Sequence, residues 1–431
     1  MWQINTANFF LFLCFLSILC FAGCASYPNV TKIIADTPAD SSDILTRHNS
    51  LMNSLNEDPL TTGNKVTLLA DISIAYDAMF EAINRAENHI NIETFSLEDN
   101  DHGGKIADIL LRKKSQGVQV NILYDCSGSS KTPTSYFKRL IEGGICLVPF
   151  SPPFSQKGLR FRIDHRKILI VDGKTAFTGG VNLTQGYDFK PQQFLLPKAK
   201  SLPWQDTIVK IQGPAVAQFQ KLFFKSWLLH KSAKAQPDYN YYPPLMQEGN
   251  SLVRVVASTP GKSKRLTYIM YISAISSAKR SIYLTTPYFV PDRQLLKALT
   301  DAAKRDVDVK LLLPEKTDCP MCSSAAKVTY SRLLKSGVKI YHRQNVFLHA
   351  KTAVIDGVWS TVGSTNLDTW SLLSNDEANS CIYDPDFAAQ MENLFNDDIA
   401  NSQQIQLDQW QKRSLVSKLD QWFASLFAYW L

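Results

Sequence analysis

The chain has 431 residues, 45% of them hydrophobic, which is enough to bury two domain-sized cores. Its net charge of +7 suits an anionic lipid surface and nucleic acid equally, so charge selects neither. Of the eight cysteines, Cys14, Cys20 and Cys24 lie near the start. The remaining five, Cys126, Cys146, Cys319, Cys322 and Cys381, form an odd set that excludes a complete disulfide framework.

In chain order, residues 9–21 are almost wholly apolar and run into Phe21-Ala22-Gly23-Cys24-Ala25. A short apolar core ending in small residues reads as a secretory leader over 1–24, too brief for a comfortable membrane span. Small residues directly before Cys24 are similar to a bacterial lipobox, which implies lipidation at that cysteine. Phe21 departs from the preferred Leu, and residues 1–8 carry no Lys or Arg, so an uncleaved amino-terminal anchor is the rival reading. Residues 25–62 then read as a polar tether.

A first domain is expected over 63–233. Tyr76, Phe80 and Ile83 share one helical face ahead of a strand at 90–95. Ile106, Ile109, Leu110 and Lys113 mark a second helix that stops at Gly117 before a strand at 118–124. Residues 234–250 are rich in Pro, Tyr and polar side chains and read as a linker. The second domain, 251–404, repeats the pattern with a helix at 295–305 and a strand at 307–313. Ala82-Ile83-x-x-Ala86-x-x-x-Ile90 recurs as Ala274-Ile275-x-x-Ala278-x-x-x-Ile282. Helices alternating with strands predict layered α/β units. Cys319-Pro-Met-Cys322 reads as a loop pair open to oxidation, since no second pair with zinc-site spacing accompanies it. Over 405–431, Leu415, Leu419, Trp422, Phe423, Leu426, Phe427 and Trp430 fall at helical spacing near Lys412, Arg413 and Lys418. That amphipathic helix can lie in a bilayer interface or dock on the protein's own core.

The phrase His-x-Lys-x4-Asp occurs twice, as His165-Arg-Lys167 to Asp172 and His349-Ala-Lys351 to Asp356. Each copy is followed at equal distance by Gly-Gly/Ser-x-Asn, ending at Asn182 and Asn366. The residues after each Lys are apolar, and Asp-Gly then follows, the strongest two-residue hairpin signal. With Asp-Gly as the turn, His165 is expected to face Gly180, and His349 to face Ser364. Alternation along the strands then gathers His, Lys and Asn on one surface of each hairpin. Asp172 and Asp356 lie seven residues from their histidines, about 23 Å along an extended strand, and read as turn or structural residues.

An imidazole can attack phosphorus or donate a proton, an ammonium group neutralises phosphate oxygens, and an amide donates to them. Two copies would surround one phosphodiester with two cations and two amides, and that chemistry requires no metal or cofactor.

Paired motifs of this kind resemble the phospholipase D superfamily. Ile90-Asn-Ile-Glu93, Trp204-Gln-Asp206 to Gln212-Gly213-Pro214, Thr286-Pro287-Tyr288-Phe289-Val-Pro291 and Gly363-Ser364-Thr-Asn366-Leu-Asp368 resemble its bacterial cardiolipin synthase branch. The resemblance implies two similar α/β sandwich domains related by a pseudo-two-fold, with the active site at their interface. It implies that His165 forms a phosphohistidine and that His349 acts as general acid, or the reverse. It also implies a His-orienting carboxylate at Glu377. The position at equal spacing in the first half is Gln193, which leaves that role vacant there and makes Asp206 the substitute.

The reaction implied is transfer of a phosphatidyl group from phosphatidylglycerol to a second lipid, giving cardiolipin. A phospholipase D releasing phosphatidic acid, a nuclease of the same superfamily and a tethered lipid-binding protein are the rivals. The leader and the apolar carboxyl terminus argue against a nucleic-acid substrate. Together they predict an exported, membrane-anchored protein of a bacterial envelope, facing the periplasm as a lipoprotein. Two motifs in one chain remove the need for a dimer.

Overall fold

The computed structural model describes residues 28–35, 44–55, 58–150, 162–183, 188–189, 202–230, 240–260 and 265–425. Residues 1–27 with Cys24, Gln193, most of 184–201 and the last six residues lie outside them.

The strands of the first half are β1 (Thr61–Leu69), β2 (His89–Thr94), β3 (Gln119–Asp125), β4 (Cys146–Phe150), β5 (Lys167–Val171), β6 (Thr175–Gly179), β7 (Asp188–Phe189), β8 (Leu202–Gln205) and β9 (Ile208–Gln212). Those of the second half are β10 (Ser251–Ser258), β11 (Ser281–Thr285), β12 (Asp308–Pro314), β13 (Lys339–Arg343), β14 (Phe347–Leu348), β15 (Thr352–Ile355), β16 (Trp359–Gly363), β17 (Glu377–Tyr383) and β18 (Ser402–Gln404). In the first half the strand order is β1-β9-β6-β5-β2-β3-β4, and in the second β10-β17-β16-β15-β11-β12-β13, with β18 added at the edge. The same order written twice is the repeat that the sequence announces. Antiparallel pairing of Thr61 with Val253 and of Asn64 with Ser251 joins the two sheets into one.

Period-two burial in the motif strands decides how the layers stack. Leu169 and Val171 pack under the helices Ile72–Arg85 and Asp101–Ser115, which cover the outer face of the first sheet. Ile168 and Ile170 point the other way, into a core shared with Val253, Val255, Val354 and Val362 of the second half. The helices Val216–His230 and Pro385–Ala400 complete that middle layer through Phe219, Phe223, Trp227, Phe387 and Met391. Helix starts are set locally: Asp71 accepts from the amides of Ser73 and Ile74, Asn100 from Gly103, and Asp292 from Gln294 and Leu295.

Three expectations need correction. Residues 25–62 are not simply a polar tether, because Val30 and, from the helix Ile44–Leu55, Leu51 and Met52 are buried in the second half's core. His48 there is fully buried, with Nδ1 3.0 Å from Ser273 Oγ. The carboxyl-terminal segment forms two helices, Leu407–Gln411 and Leu415–Ser425, not one. The hairpin register also differs by one residue. Asp172 and Gly173, like Asp356 and Gly357, do take positive φ, and turn bonds run from Lys174 N to Val171 O and from Val358 N to Ile355 O. Yet Val171 pairs with Thr175, and Ile355 with Trp359, so Lys174 and Val358 are each an extra residue in the ladder. Continued to the site, this register sets Gly180 level with Arg166 and Ser364 level with Ala350, not with the histidines. A one-residue slip reverses faces, so alternation does not place Asn182 and Asn366 beside their His-Lys pairs.

Of the connection at 234–250, residues 240–250 are described; Tyr241 packs edge-on to His89 and Phe224. Cys319 and Cys322 form a disulfide at the start of the helix Pro320–Lys335, and Cys126, Cys146 and Cys381 are not in disulfides. No described helix is long and apolar enough to cross a membrane.

The motif aspartates act at a distance from the histidines. Asp172 accepts from the amides of Glu87, Asn88 and His89, and Asp356 from those of Lys279, Arg280 and Ser281. Each thereby fixes the corner between a helix and its following strand, in the same half. Asp356→Ala should lower unfolding stability by about 2 kcal/mol in urea titration, with Asp356→Asn losing less because it keeps one acceptor oxygen. Equal stability of all three proteins would refute that role.

Candidate active site

His165 and His349 stand at the amino-terminal ends of β5 and β15, where each strand enters the middle layer. Each is tied to the opposite half through the backbone. His165 N donates to Asp376 O at 2.9 Å, and His349 N donates to Gln205 O at 2.8 Å. The side chains repeat the exchange. His165 Nδ1 lies 3.0 Å from Glu377 Oε1, and His349 Nδ1 lies 2.7 Å from Asp206 Oδ2. Each half therefore supplies the carboxylate that holds the other half's histidine. Nδ1 is engaged in both cases, so Nε2 is the nitrogen that addresses the space between the halves.

Asp206 is the structural counterpart of Glu377, not a substitute for a vacant position. Gly179 pairs with Ile208 as Gly363 pairs with Asn379, and two residues before each partner stand Asp206 and Glu377. Extra chain between motif and carboxylate in the first half moves the acid thirteen residues beyond Gln193, so equal spacing points to the wrong residue. The small residue of each extension serves these acids. A Cβ on Gly180 would lie 2.0 Å from Asp206 Oδ1, and Ser364 Oγ donates to Glu377 Oε2.

The lysines fold back on their own motifs. Lys167 Nζ donates to His165 O at 2.7 Å, and Lys351 Nζ donates to His349 O and lies 2.9 Å from His349 Nδ1. Asn182 Oδ1 accepts from Ser96 N at 3.4 Å, and Asn366 Nδ2 donates to Ser371 Oγ at 3.2 Å. Asn366 Oδ1 is buried without a partner among the described residues, an unspent acceptor at the site's second-half wall. Asp172 and Asp356 remain at the far turns.

Four residues absent from the motif reading shape the site. Arg166, sitting between the motif His and Lys, has the opposite strand parity and reaches into the other half. It donates to Glu93 Oε1, Ser226 Oγ, Ser258 O, Thr259 Oγ1 and the Glu377 carbonyl, and is 98% buried. Parity was the available signal for it. The Phe95 ring meets His165 edge-on at 5.3 Å and Lys167 Nζ at 5.2 Å. Trp204 lies 4.8 Å from His349, and Phe347, its partner across β8 and β14, stacks on the same imidazole at 6.0 Å. The Trp-x-Asp phrase had flagged Trp204 by position only.

Burial dominates the electrostatics. It holds His165 well below its ordinary value, assisted by Lys167 and Lys351, and brings His349 down to about 4, assisted by Lys351. Burial also lowers Lys167 to about 7 and Lys351 to about 8, and pushes Glu377 up to about 8 against the pull of Ser364 and Lys167. Burial thus favours neutral imidazoles beside two easily lost ammonium charges. A phosphate anion between the lysines would restore both. No group of His, Cys, Asp and Glu among the described residues is arranged to hold a metal ion.

Two duplicated α/β halves that lend each other the residues of one His-Lys site define a phospholipase D-like protein. The family described as "Cardiolipin synthase, PLD-like domain" matches residues 79–188 and 271–399, one segment in each half. A cardiolipin synthase of Geobacillus thermodenitrificans is 33% identical over 363 residues, 83% of this chain and 71% of that one. A probable cardiolipin synthase of Bacillus subtilis is 32% identical over 373 residues, 86% of this chain and 73% of that one. In fold, the chain is similar to the phosphatidylserine synthase of Haemophilus influenzae, with TM-score 0.66 and 14% identity, over 87% of this chain and 96% of the other. The chain belongs to the cardiolipin synthase family of phospholipase D-like proteins.

The lysine shifts give a pH dependence. A lysine lowered to about 7 or 8 carries its charge below that pH and loses it as pH rises. Because kcat/KM reports the free enzyme, it should fall from about pH 7 upward, with the loss in KM for the phosphodiester. Lys167→Arg, which cannot lose its charge, should move the start of that limb from about pH 7 to about pH 8, where Lys351 loses its proton; a profile flat to pH 10 in the parent chain would refute the assignment.

Proposed function

We propose that the protein is a phosphatidyltransferase that makes cardiolipin from phosphatidylglycerol through a phosphohistidine. The observation that carries this reading is the pair of histidines, each held at Nδ1 by the other half's carboxylate and flanked by a lysine. His349 first takes up a proton at Nε2 as the substrate phosphate anion binds, with Asp206 at Nδ1 favouring the imidazolium. His165 Nε2 then attacks phosphorus, the bond from phosphorus to the headgroup oxygen breaks, and His349 Nε2 gives that oxygen its proton, releasing glycerol. The terminal hydroxyl of a second phosphatidylglycerol then attacks the phosphohistidine. His349 takes the hydroxyl proton, the phosphorus–nitrogen bond breaks, and His165 is restored with cardiolipin as product. Lys167, Lys351, Asn182 and Asn366 neutralise and orient the phosphate oxygens, while Glu377 and Asp206 fix the imidazole tautomers.

Transfer and hydrolysis share the intermediate and differ in the acceptor. Phe95 against His165, and Trp204 with Phe347 against His349, favour transfer because they remove polar surface at which water could be held. The cardiolipin synthase relatives support the same choice. The apolar run at residues 9–21 and the small residues before Cys24 support a location at a bacterial envelope membrane, as a lipoprotein.

Incubation of the protein with phosphatidylglycerol alone should yield cardiolipin and glycerol on separation of the products. Phosphatidic acid instead would make the protein a hydrolase, and neither product would refute both. His165→Ala should lower turnover by at least about 10³-fold with every substrate. His349→Ala should recover most of its loss on a phosphodiester with a p-nitrophenolate leaving group, which departs without a proton. Equal losses in the two variants on that substrate would refute the division of roles.

A further inference from the structure

The carboxyl-terminal helix Leu415–Ser425 is amphipathic, and it is docked with its apolar side outward. Leu415, Val416, Leu419, Trp422 and Phe423 are 76%, 76%, 64%, 59% and 51% exposed. The side that meets the protein is small or polar. Gln421 and Ala424 are buried, Asp420 accepts from Ser324 Oγ at 2.8 Å, and Gln421 Oε1 accepts from Arg413 Nε at 3.0 Å. Ala424 packs with Val290, Cys322 and Ala325 beside the disulfide. A helix that needed only to cover the body would turn its leucines and aromatics inward.

We propose that this face is the surface by which the protein docks onto a bilayer rich in anionic phospholipid, with Leu415, Leu419, Trp422 and Phe423 inserted at headgroup depth. Three observations select lipid as the occupant. The exposed row combines Leu with Trp and Phe, the residue types that settle at a membrane interface, and continues in the sequence as Leu426, Phe427 and Trp430. Lys412 and Lys418 are exposed beside it, in a chain of net charge +7. The helix is also wired to the active site: Ala424 packs on Val290, whose amide donates to Leu367 O at 2.9 Å, directly after Asn366. The choice of lipid rests on the phosphatidylglycerol reading above, since that anionic lipid is then both anchor and substrate.

Hydrogen exchange of the full chain provides a local readout that the leader cannot imitate. With phosphatidylglycerol vesicles, amides in 415–425 should exchange about ten-fold more slowly, and with phosphatidylcholine vesicles they should not. The double variant Leu419→Glu/Phe423→Glu should lose about ten-fold in turnover of vesicular phosphatidylglycerol, while keeping parental turnover of short-chain phosphatidylglycerol below its micelle concentration. Unchanged exchange on adding vesicles, or equal slowing on both lipids, would overturn the proposal. So would slowing that follows protein concentration without lipid, which would make the occupant a second copy, or a variant equally impaired on monomeric substrate. A parent chain that turns over no lipid would refute the proposed function instead, and the exchange measurement would still decide the docking face.

Discussion

The crossed pairing of carboxylates and histidines is the constraint on which the rest of the molecule depends. Glu377 reaches His165 and Asp206 reaches His349, so neither half contains a finished site. Taking these groups out of water is costly, and the cost is met only where geometry keeps each partner in place. The continuous sheet through β1 and β10, the shared middle core and the backbone bonds at Asp376 and Gln205 all hold the two halves at one fixed distance. Arg166 belongs to the same system: its guanidinium lies against Glu93 and Asp376 and donates to the carbonyl of the residue whose carboxylate holds His165.

The same burial that makes the site demanding also makes it reactive. An imidazole kept neutral retains a lone pair, and lysines with weakened protons respond strongly to an incoming anion. The substrate phosphate thus does more than occupy the site, because its charge changes the protonation preferences of the groups around it. Aromatic rings against both imidazoles keep that exchange away from bulk water, where it would be diluted.

Much of this was legible in the sequence, for reasons that can be stated residue by residue. The repeat, the Asp-Gly turns and the apolar runs after each Lys announced two hairpins in two α/β halves, because those signals are local. Register was not legible: an Asp-Gly pair specifies the turn but not the extra residue, Lys174 or Val358, that follows it. Glu377 follows from the resemblance of its context, but the same spacing carried to the first half reaches Gln193 and not Asp206, since loop length is free wherever the ends of a loop are fixed by other contacts. Which histidine each acid serves depends on how the halves meet, and no spacing within one half carries that information. The segment 25–62 reads as a tether by composition, yet a few buried residues, His48, Leu51 and Met52 among them, suffice to dock a helix that is otherwise polar.

The two acid pockets are built alike in backbone and unlike in side chain. One pairs the shorter Asp206 with Gly180, where even a methyl group would collide with the carboxylate; the other pairs the longer Glu377 with the hydroxyl of Ser364. The two members of each pair must therefore change together. A drifting Gly180 would evict its acid, and Ser364 exchanged for glycine would leave one carboxylate oxygen short of a donor. Duplication set the halves equal, but these matched couples mean that they can no longer be recombined one residue at a time, and each pocket is inherited as a unit.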